Sequence, residues 1–329
     1  MLTGKDLIVA TKPFAVEKRW LSWWYSLSAF TLLIASNYSV FYFELWYVKL
    51  PLSILTGLLI GRMFVIYHDY LHKAILNKSN IAEVIFTLFG WYILAAPSIW
   101  KRSHDYHHKH NSKLFSANIG SYPILSKKKY MELPLKEKRL YLATRNPYII
   151  AIGYLSMFAF GMCVQPFYRN PKKHADAILS LLVHISLSVI TVYYFGWMQW
   201  VFSFIIPFTL ACGLGAYLFY AQHNFPGVYF ASNEEWKYEQ AALESSSFMP
   251  MNPIMQWFTA NIGYHHIHHL NARIPFYRLP EVMNHFKELQ KAKTTRLKIR
   301  DIRACLRLKV WDPERKEMVG FEHLRLHNS

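Results

Sequence analysis

Between Trp20 and Tyr220 the chain repeatedly turns apolar for the length that a bilayer demands of a helix, about 20 residues. The runs extend from Trp20 to about Val40, Leu45 to Ile66, Pro147 to Phe167, Asp176 to Phe195 and Trp197 to Tyr220, with a weaker one from Ile81 to Trp100. A chain that crosses lipid must satisfy its backbone polar groups internally, so unbroken apolar runs point to membrane helices. Lys18-Arg19 before the first run could open a signal peptide. The run is long and Trp-rich, and a second follows almost at once, so an uncleaved span is expected. Lys49 and Arg62 interrupt that second run and leave about 18 Å of helix between them. It spans only if both side chains snorkel to opposite surfaces.

Charge selects among the runs. The sequence is 53% hydrophobic and 17% aromatic, with a formal net charge of +17. So basic a chain raises nucleic acid as a partner. Here, however, the basic residues flank apolar segments, as the loops of membrane helices do, and no nucleic-acid partner is expected. A basic cytosolic face suits anionic membrane lipids and an acidic electron donor instead. The stretch from Lys101 to Arg145 is rich in Lys and Arg, and Arg169, Lys172 and Lys173 follow the Pro147 run. Both ends of that run are therefore assigned to the cytosol, as for an interfacial or re-entrant helix. The uncharged Phe195-Gly196-Trp197 reads as a short external turn. The expected fold is an all-α integral membrane protein, one domain over residues 1–329. Four transmembrane helices, at about 20–40, 45–66, 176–195 and 197–220, form two hairpins. Both termini lie in the cytosol, with interfacial helices and a helical cap from regions 68–145 and 221–329. The bacterial inner membrane is the expected location.

Cys163, Cys212 and Cys305 form no CxxC pair, so any metal must be held by nitrogen or oxygen. Histidine supplies the nitrogen. His68-Asp69-Tyr70-Leu71-His72 is HxxxH, while His104-Asp105-Tyr106-His107-His108 and His265-His266-Ile267-His268-His269 are HxxHH. Residues three and four apart share a helix face, so these windows present two, three and three imidazoles. Imidazole suits iron, zinc, copper and nickel, and eight such donors exceed the needs of one ion, which implies two. The isolated His174, His184, His285, His323 and His327 read as surface or structural residues. His184 lies within an apolar run, where an ionisable group invites a functional reading, but a hydrogen-bonded structural role is preferred. The four-span topology places all three windows on one side of the membrane; a fifth crossing at Pro147 would separate the third from the others.

The three windows resemble the histidine boxes of the membrane fatty acid desaturase family. Gly263 to Asn271, followed by Arg273-Ile274-Pro275 and Tyr277-Arg278-Leu279, is similar to the third-box region of acyl-lipid desaturases of the omega-6 type. Cys305-Leu306-Arg307-Leu308 to Trp311-Asp312 is similar to their C-terminal end. The resemblance covers most of the chain from about residue 50. It implies two irons held by His68, His72, His104, His107, His108, His265, His268 and His269, with His223 as a ninth ligand after the fourth span. In the acyl-CoA branch an Asn one turn before that histidine holds a metal-bound water; here the position is Phe219. With the short HxxxH first box, this favours acyl-lipid substrates. Asp69 and Asp105 are candidates to accept an imidazole N–H, which fixes a ligand's orientation. His110 and His266 lie beside the boxes, off the ligand spacing, as supporting or surface residues.

The activity implied is O2-dependent insertion of a double bond into a fatty acyl chain, lipid-linked in this branch. Two electrons would come from a separate ferredoxin or cytochrome, since no cytochrome domain or nucleotide-binding glycine motif is evident. A di-iron hydroxylase or ketolase acting on a lipid or carotenoid is the alternative on the same scaffold. A histidine-rich metal transporter ranks below both, because it would need metal-binding groups within the spans, where only His184 lies.

Overall fold

A computed structural model describes residue 2 and residues 4–114 and 122–322. The expectations for His323 and His327 fall outside the described residues. The described residues are mostly helical, with one small antiparallel sheet in which Val310–Asp312 pairs with Glu317–Val319. Among the described residues, two helices are long and apolar enough to cross a membrane, Trp46–Leu71 and the bent Ala175–Ala221. A third candidate is the broken pair Asn80–Tyr92 and Pro97–His110, bent by 91°.

Helix Arg19–Tyr42 packs along Trp46–Leu71. Serines dilute its apolar character, yet their hydroxyls are satisfied within the protein. Ser26 donates to the Ser22 carbonyl and Ser39 to that of Ala35, both at 2.8 Å, and Ser36 shares a 2.8 Å bond with Thr56. Within Ala175–Ala221, Gly196 adopts φ +84°, a conformation open to glycine at no steric cost. The chain folds back there: the His184 ring lies 4.6 Å from Phe208, twelve residues to either side of Gly196, where a straight helix would put them about 36 Å apart. The uncharged turn anticipated at residues 195–197 is this reversal.

Lys49 and Arg62 do not snorkel as the sequence suggested. Both are buried, at 8% and 2% exposure. Lys49 donates to Gln199 Oε1 at 2.5 Å, and Arg62 donates to the Trp257 carbonyl while its guanidinium lies 4.0 Å from the centre of the Trp257 ring. Partners from later in the chain meet both charged groups inside the protein, although Arg62 Nε finds no hydrogen-bond partner among the described residues. The Pro147 region forms no helix long enough to cross, consistent with its basic ends; it comprises Pro147–Ala151, the π-helical Tyr154–Val164 and Gln165–Arg169.

The break at residues 93–96 frees carbonyls that an apolar setting cannot hydrate. Ser180 donates to the Trp91 carbonyl at 2.7 Å, His184 Nδ1 to that of Tyr92 at 3.0 Å, and Tyr67 to that of Ala95 at 2.8 Å. His184 is thus a structural histidine, its other nitrogen 2.5 Å from the Tyr154 hydroxyl. Asp176 accepts from Ser98 N and Oγ at the start of helix Pro97–His110, where a carboxylate complements the helix dipole. His174 packs beside it, 2.7 Å from Arg102. These contacts fix the direction of the helix that carries the second histidine window.

Candidate metal centre

Four elements bring the histidines together. His68 lies in the last turn of Trp46–Leu71, and His72 follows as its C-cap. Helix Pro97–His110 supplies His104, His107 and His108. His223 comes two residues after Ala221, with its Nδ1 donating to the Ser245 carbonyl at 2.9 Å. His265, His268 and His269 lie on the short helix His265–Leu270. Before that helix, Gly263 packs against the Met249 backbone where no Cβ would fit, and Ala260 and Asn261 adopt positive φ. Gln222, next to His223, donates to the Ile262 carbonyl at 2.9 Å and ties the two segments.

The nine side chains gather into two groups. His68, His72, His104, His108 and His268 form one, His107, His223, His265 and His269 the other, and within each the ligating atoms lie within 4.8 Å of one another. Each HxxHH window is divided between them. Helical positions i and i+4 differ by about 40° around the axis, while i+3 lies about 60° the other way. His104 and His108 therefore turn to one group and His107 to its neighbour; His265 and His269 pair likewise, and His268 crosses over.

The spacing of the nitrogens suits a cation. In the first group, Nε2–Nε2 separations are 2.7 Å for His68–His104, 3.2 Å for His68–His72, 3.0 Å for His104–His108 and 3.1 Å for His108–His268. In the second, His223 lies 3.0 Å from His107 and 2.9 Å from His265. Imidazoles bound at about 2.1 Å on adjacent vertices of an octahedron stand about 3.0 Å apart, so these separations match the edges of a coordination shell. A proton cannot substitute, since one neutral imidazole donates once while His104 faces two neighbours. Buried His269 Nε2 has no hydrogen-bond partner among the described residues, another sign of a ligand. Burial, reinforced by neighbouring imidazoles, holds His72, His265, His268 and His269 well below the usual histidine range. Burial lowers His223 to about 4, opposed in part by its bond to Ser245. All five are therefore neutral near pH 7, the form that binds metal.

The neighbouring candidates separate. Asp69 is buried and joins two segments: one oxygen is 3.2 Å from His68 Nδ1, and the other accepts from Phe276 N at 2.7 Å. Asp105 turns away to a half-exposed ion pair with Lys101 at 2.6 Å. His110 stacks on Tyr106 and bonds that residue's carbonyl, outside both groups. His266 is fully buried, bonded through Nε2 to the Leu289 carbonyl at 3.1 Å, and lowered by that burial to about 4. His285 packs exposed against Phe14 and Phe286.

One apolar cavity opens onto the histidines. His68, His104 and His265 line it, so it meets both groups, and its remaining wall is largely hydrocarbon, including Phe64, Val65, Leu214 and Leu218. Phe219 lies in that wall with its ring 5.0 Å from His107 and 5.8 Å from His223. Histidine spacing gave no hint of this cavity, whose wall is drawn from five stretches of chain, within 58–68, 93–104, 157–158, 211–222 and 258–265. Such a site can hold an unbranched apolar chain beside a nitrogen-bound metal and keep water away.

The sequence profile of the fatty acid desaturase family matches residues 44–299. A fatty acid desaturase of Bacillus subtilis is 29% identical over 307 residues, covering 90% of this chain and 87% of that protein. An sn-1 oleoyl-lipid 12-desaturase of a Synechocystis species is 24% identical over 295 residues, covering 86% and 81%. An sn-1 acyl-lipid omega-3 desaturase (ferredoxin) of a Nostoc species is 22% identical over 268 residues, covering 75% and 70%. With histidines arranged to hold metal at an apolar cavity, and a match over most of its length, this chain belongs to the fatty acid desaturase family.

Proposed function

We propose that the protein is a multi-pass membrane enzyme that desaturates acyl chains of membrane lipids at two irons, one in each histidine group. The observation that carries this reading is the apolar cavity that ends at histidines of both groups. When bound, the irons would supply the oxidation: with O2, two electrons and two protons, two hydrogens leave adjacent carbons and the products are an alkene and two waters. The chain's own residues bind, orient and exclude water. His223, pinned by Ser245, and His68, beside Asp69, keep their Nε2 atoms turned inward. A methylene offers no polar handle, so the cavity walls select the carbon. Phe219, close to both groups, is a wall residue that brings hydrocarbon to the oxidation site.

Relatives named for sn-1 acyl-lipid substrates support a lipid-linked chain, and one named with ferredoxin supports a small, separate electron donor. The topology we favour has four crossings, at Arg19–Tyr42, Trp46–Leu71 and the two limbs of Ala175–Ala221, with both termini and the nine histidines of the two groups on the cytosolic side. Large apolar residues exposed along the crossings, among them Ile34, Leu182, Val189 and Ile190, support a lipid-facing belt. Expression in a host with simple saturated lipids, followed by mass spectrometry of its fatty acids, tests the activity. New double bonds at one position are expected. Hydroxylated or keto products would transfer the protein to the oxygen-inserting alternative. Unchanged lipids from iron-loaded protein with a working donor would overturn the reading.

A further inference from the structure

The helical glycines of this chain fall into two kinds. A Cβ added at Gly57 would lie 2.9 Å from the Pro207 carbonyl oxygen and 3.1 Å from the Leu210 side chain. At Gly213 it would lie 2.6 Å from the Ala151 carbonyl, so these glycines permit close helix packing. Gly61 and Gly215 are different. A Cβ at either would meet no neighbouring atom within 4 Å, and both line the apolar cavity that reaches the histidines. Glycine weakens a helix interior relative to alanine, and at these two sites no packing requirement offsets that weakness. The empty space is what they contribute.

Their position gives that space a purpose. Gly61 lies seven residues before His68, about 10 Å along the helix, and Leu58 lines the cavity about one turn deeper. Gly57 then meets Pro207 and Leu210 too closely for any bore to continue between these helices. Gly215 lies eight residues before His223 on the facing helix, about 12 Å from it. Between these two helices the cavity therefore ends on close packing, which forms its floor there, and the two glycines widen the part just above it. Only one end of an acyl chain can enter such a floor. The methyl end is hydrocarbon, whereas the ester end would bury polar groups without partners.

We infer that Gly61 and Gly215 are specificity-determining residues: their missing side chains set how far the methyl end passes beyond the metal centre, and so which chain lengths are accepted. The inference rests on the acyl-chain reading of the cavity. The test uses full-length iron-loaded enzyme in vesicles with ferredoxin and its reductase, on phosphatidylglycerol bearing myristoyl, palmitoyl or stearoyl chains. Wild type is compared with Gly61→Ala, Gly61→Leu, Gly215→Ala and Gly215→Leu. Iron content and thermal midpoint are measured for each.

The leucine variants should lower conversion of the longest accepted chain relative to the shortest by about tenfold or more, the range that one or a few methylenes command in an apolar pocket. If the methyl end itself sets the register, the double bond should instead move toward that end; either result supports the inference. The alanine variants should shift the same way by less, with unchanged iron and an equal or higher midpoint, and they decide the matter if leucine disturbs folding. Gly57→Ala should lower the midpoint without changing the profile of the remaining activity. An unchanged profile in the alanine and leucine variants, or an equal loss on every chain, overturns the role of the glycines. Iron-loaded wild type that desaturates none of these chains overturns the acyl reading itself, and the inference with it.

Discussion

Replacing Asp69 by Asn alters almost no volume but breaks a demand for two acceptors. The buried carboxylate faces two donors, His68 Nδ1–H at 3.2 Å and Phe276 N–H at 2.7 Å. Asparagine has one acceptor oxygen and one amide nitrogen. With the oxygen kept on Phe276, an amide N–H faces His68 Nδ1 and favours the tautomer whose proton sits on Nε2. That proton occupies the lone pair aimed at the first histidine group. Loss of such an outer partner lowers metal affinity by about 10- to 100-fold, or about 1.4–2.8 kcal/mol. With the amide reversed, the buried Phe276 N–H is orphaned and stability falls by about 1–3 kcal/mol instead. The assay is chelator competition for bound iron, with a thermal melt of the same sample. D69N should lose iron more readily, melt lower, or both. Wild-type iron affinity together with a wild-type midpoint would refute the argument.

Other consequences follow from the same geometry. His107→Ala and His269→Ala each remove a proposed ligand from the second group and should abolish desaturation while the protein still inserts; retained activity in either would exclude that residue as a ligand. Metal-free protein should lose stability as pH falls. His223 and His266 stay neutral in the fold down to about 4, whereas an unfolded chain takes up protons near 6.5. Below about 6.5 the unfolded state thus binds more protons, and melts from pH 8 to pH 5 should show a falling midpoint, fully recovered above 6.5; a flat profile would contradict their burial. Trp257→Ala strips the ring from buried Arg62 but leaves the backbone carbonyl it bonds, so the expected cost is about 2 kcal/mol. An unchanged melting midpoint would show that the stack contributes nothing.

What the sequence could express depended on range. HxxxH and HxxHH are local, and helical geometry alone brings their imidazoles near one another. The uncharged turn at Gly196 was local too, and the positive φ there matches it. Spacing could not show that His268 joins His68 and His72 while its neighbour His269 joins His107, because that depends on how short helix His265–Leu270 meets the other carriers. Asp69 and Asp105 hold equivalent places in their windows, yet one is buried against Phe276 and the other meets Lys101 at the surface. Only the fold distinguishes them. The expectation that Arg62 would snorkel failed for the same reason, since Trp257 lies 195 residues away.

Asp69 also gives the third-window flank a physical meaning. The segment after His269 contains Arg273-Ile274-Pro275, and the next backbone N–H, that of Phe276, is the one Asp69 accepts. Pro275 has no N–H and adopts an extended ψ of 140°, which leads the chain into the turn that presents Phe276. One carboxylate therefore fixes a histidine of the first window and the strap following the third, 207 residues later. Metal affinity and the seating of the strap should fall together when that carboxylate is changed, although the strap touches no metal. The flanking residues that resemble a family pattern are thus part of the same physical device as the histidines, and their conformation, not only their identity, sustains the centre.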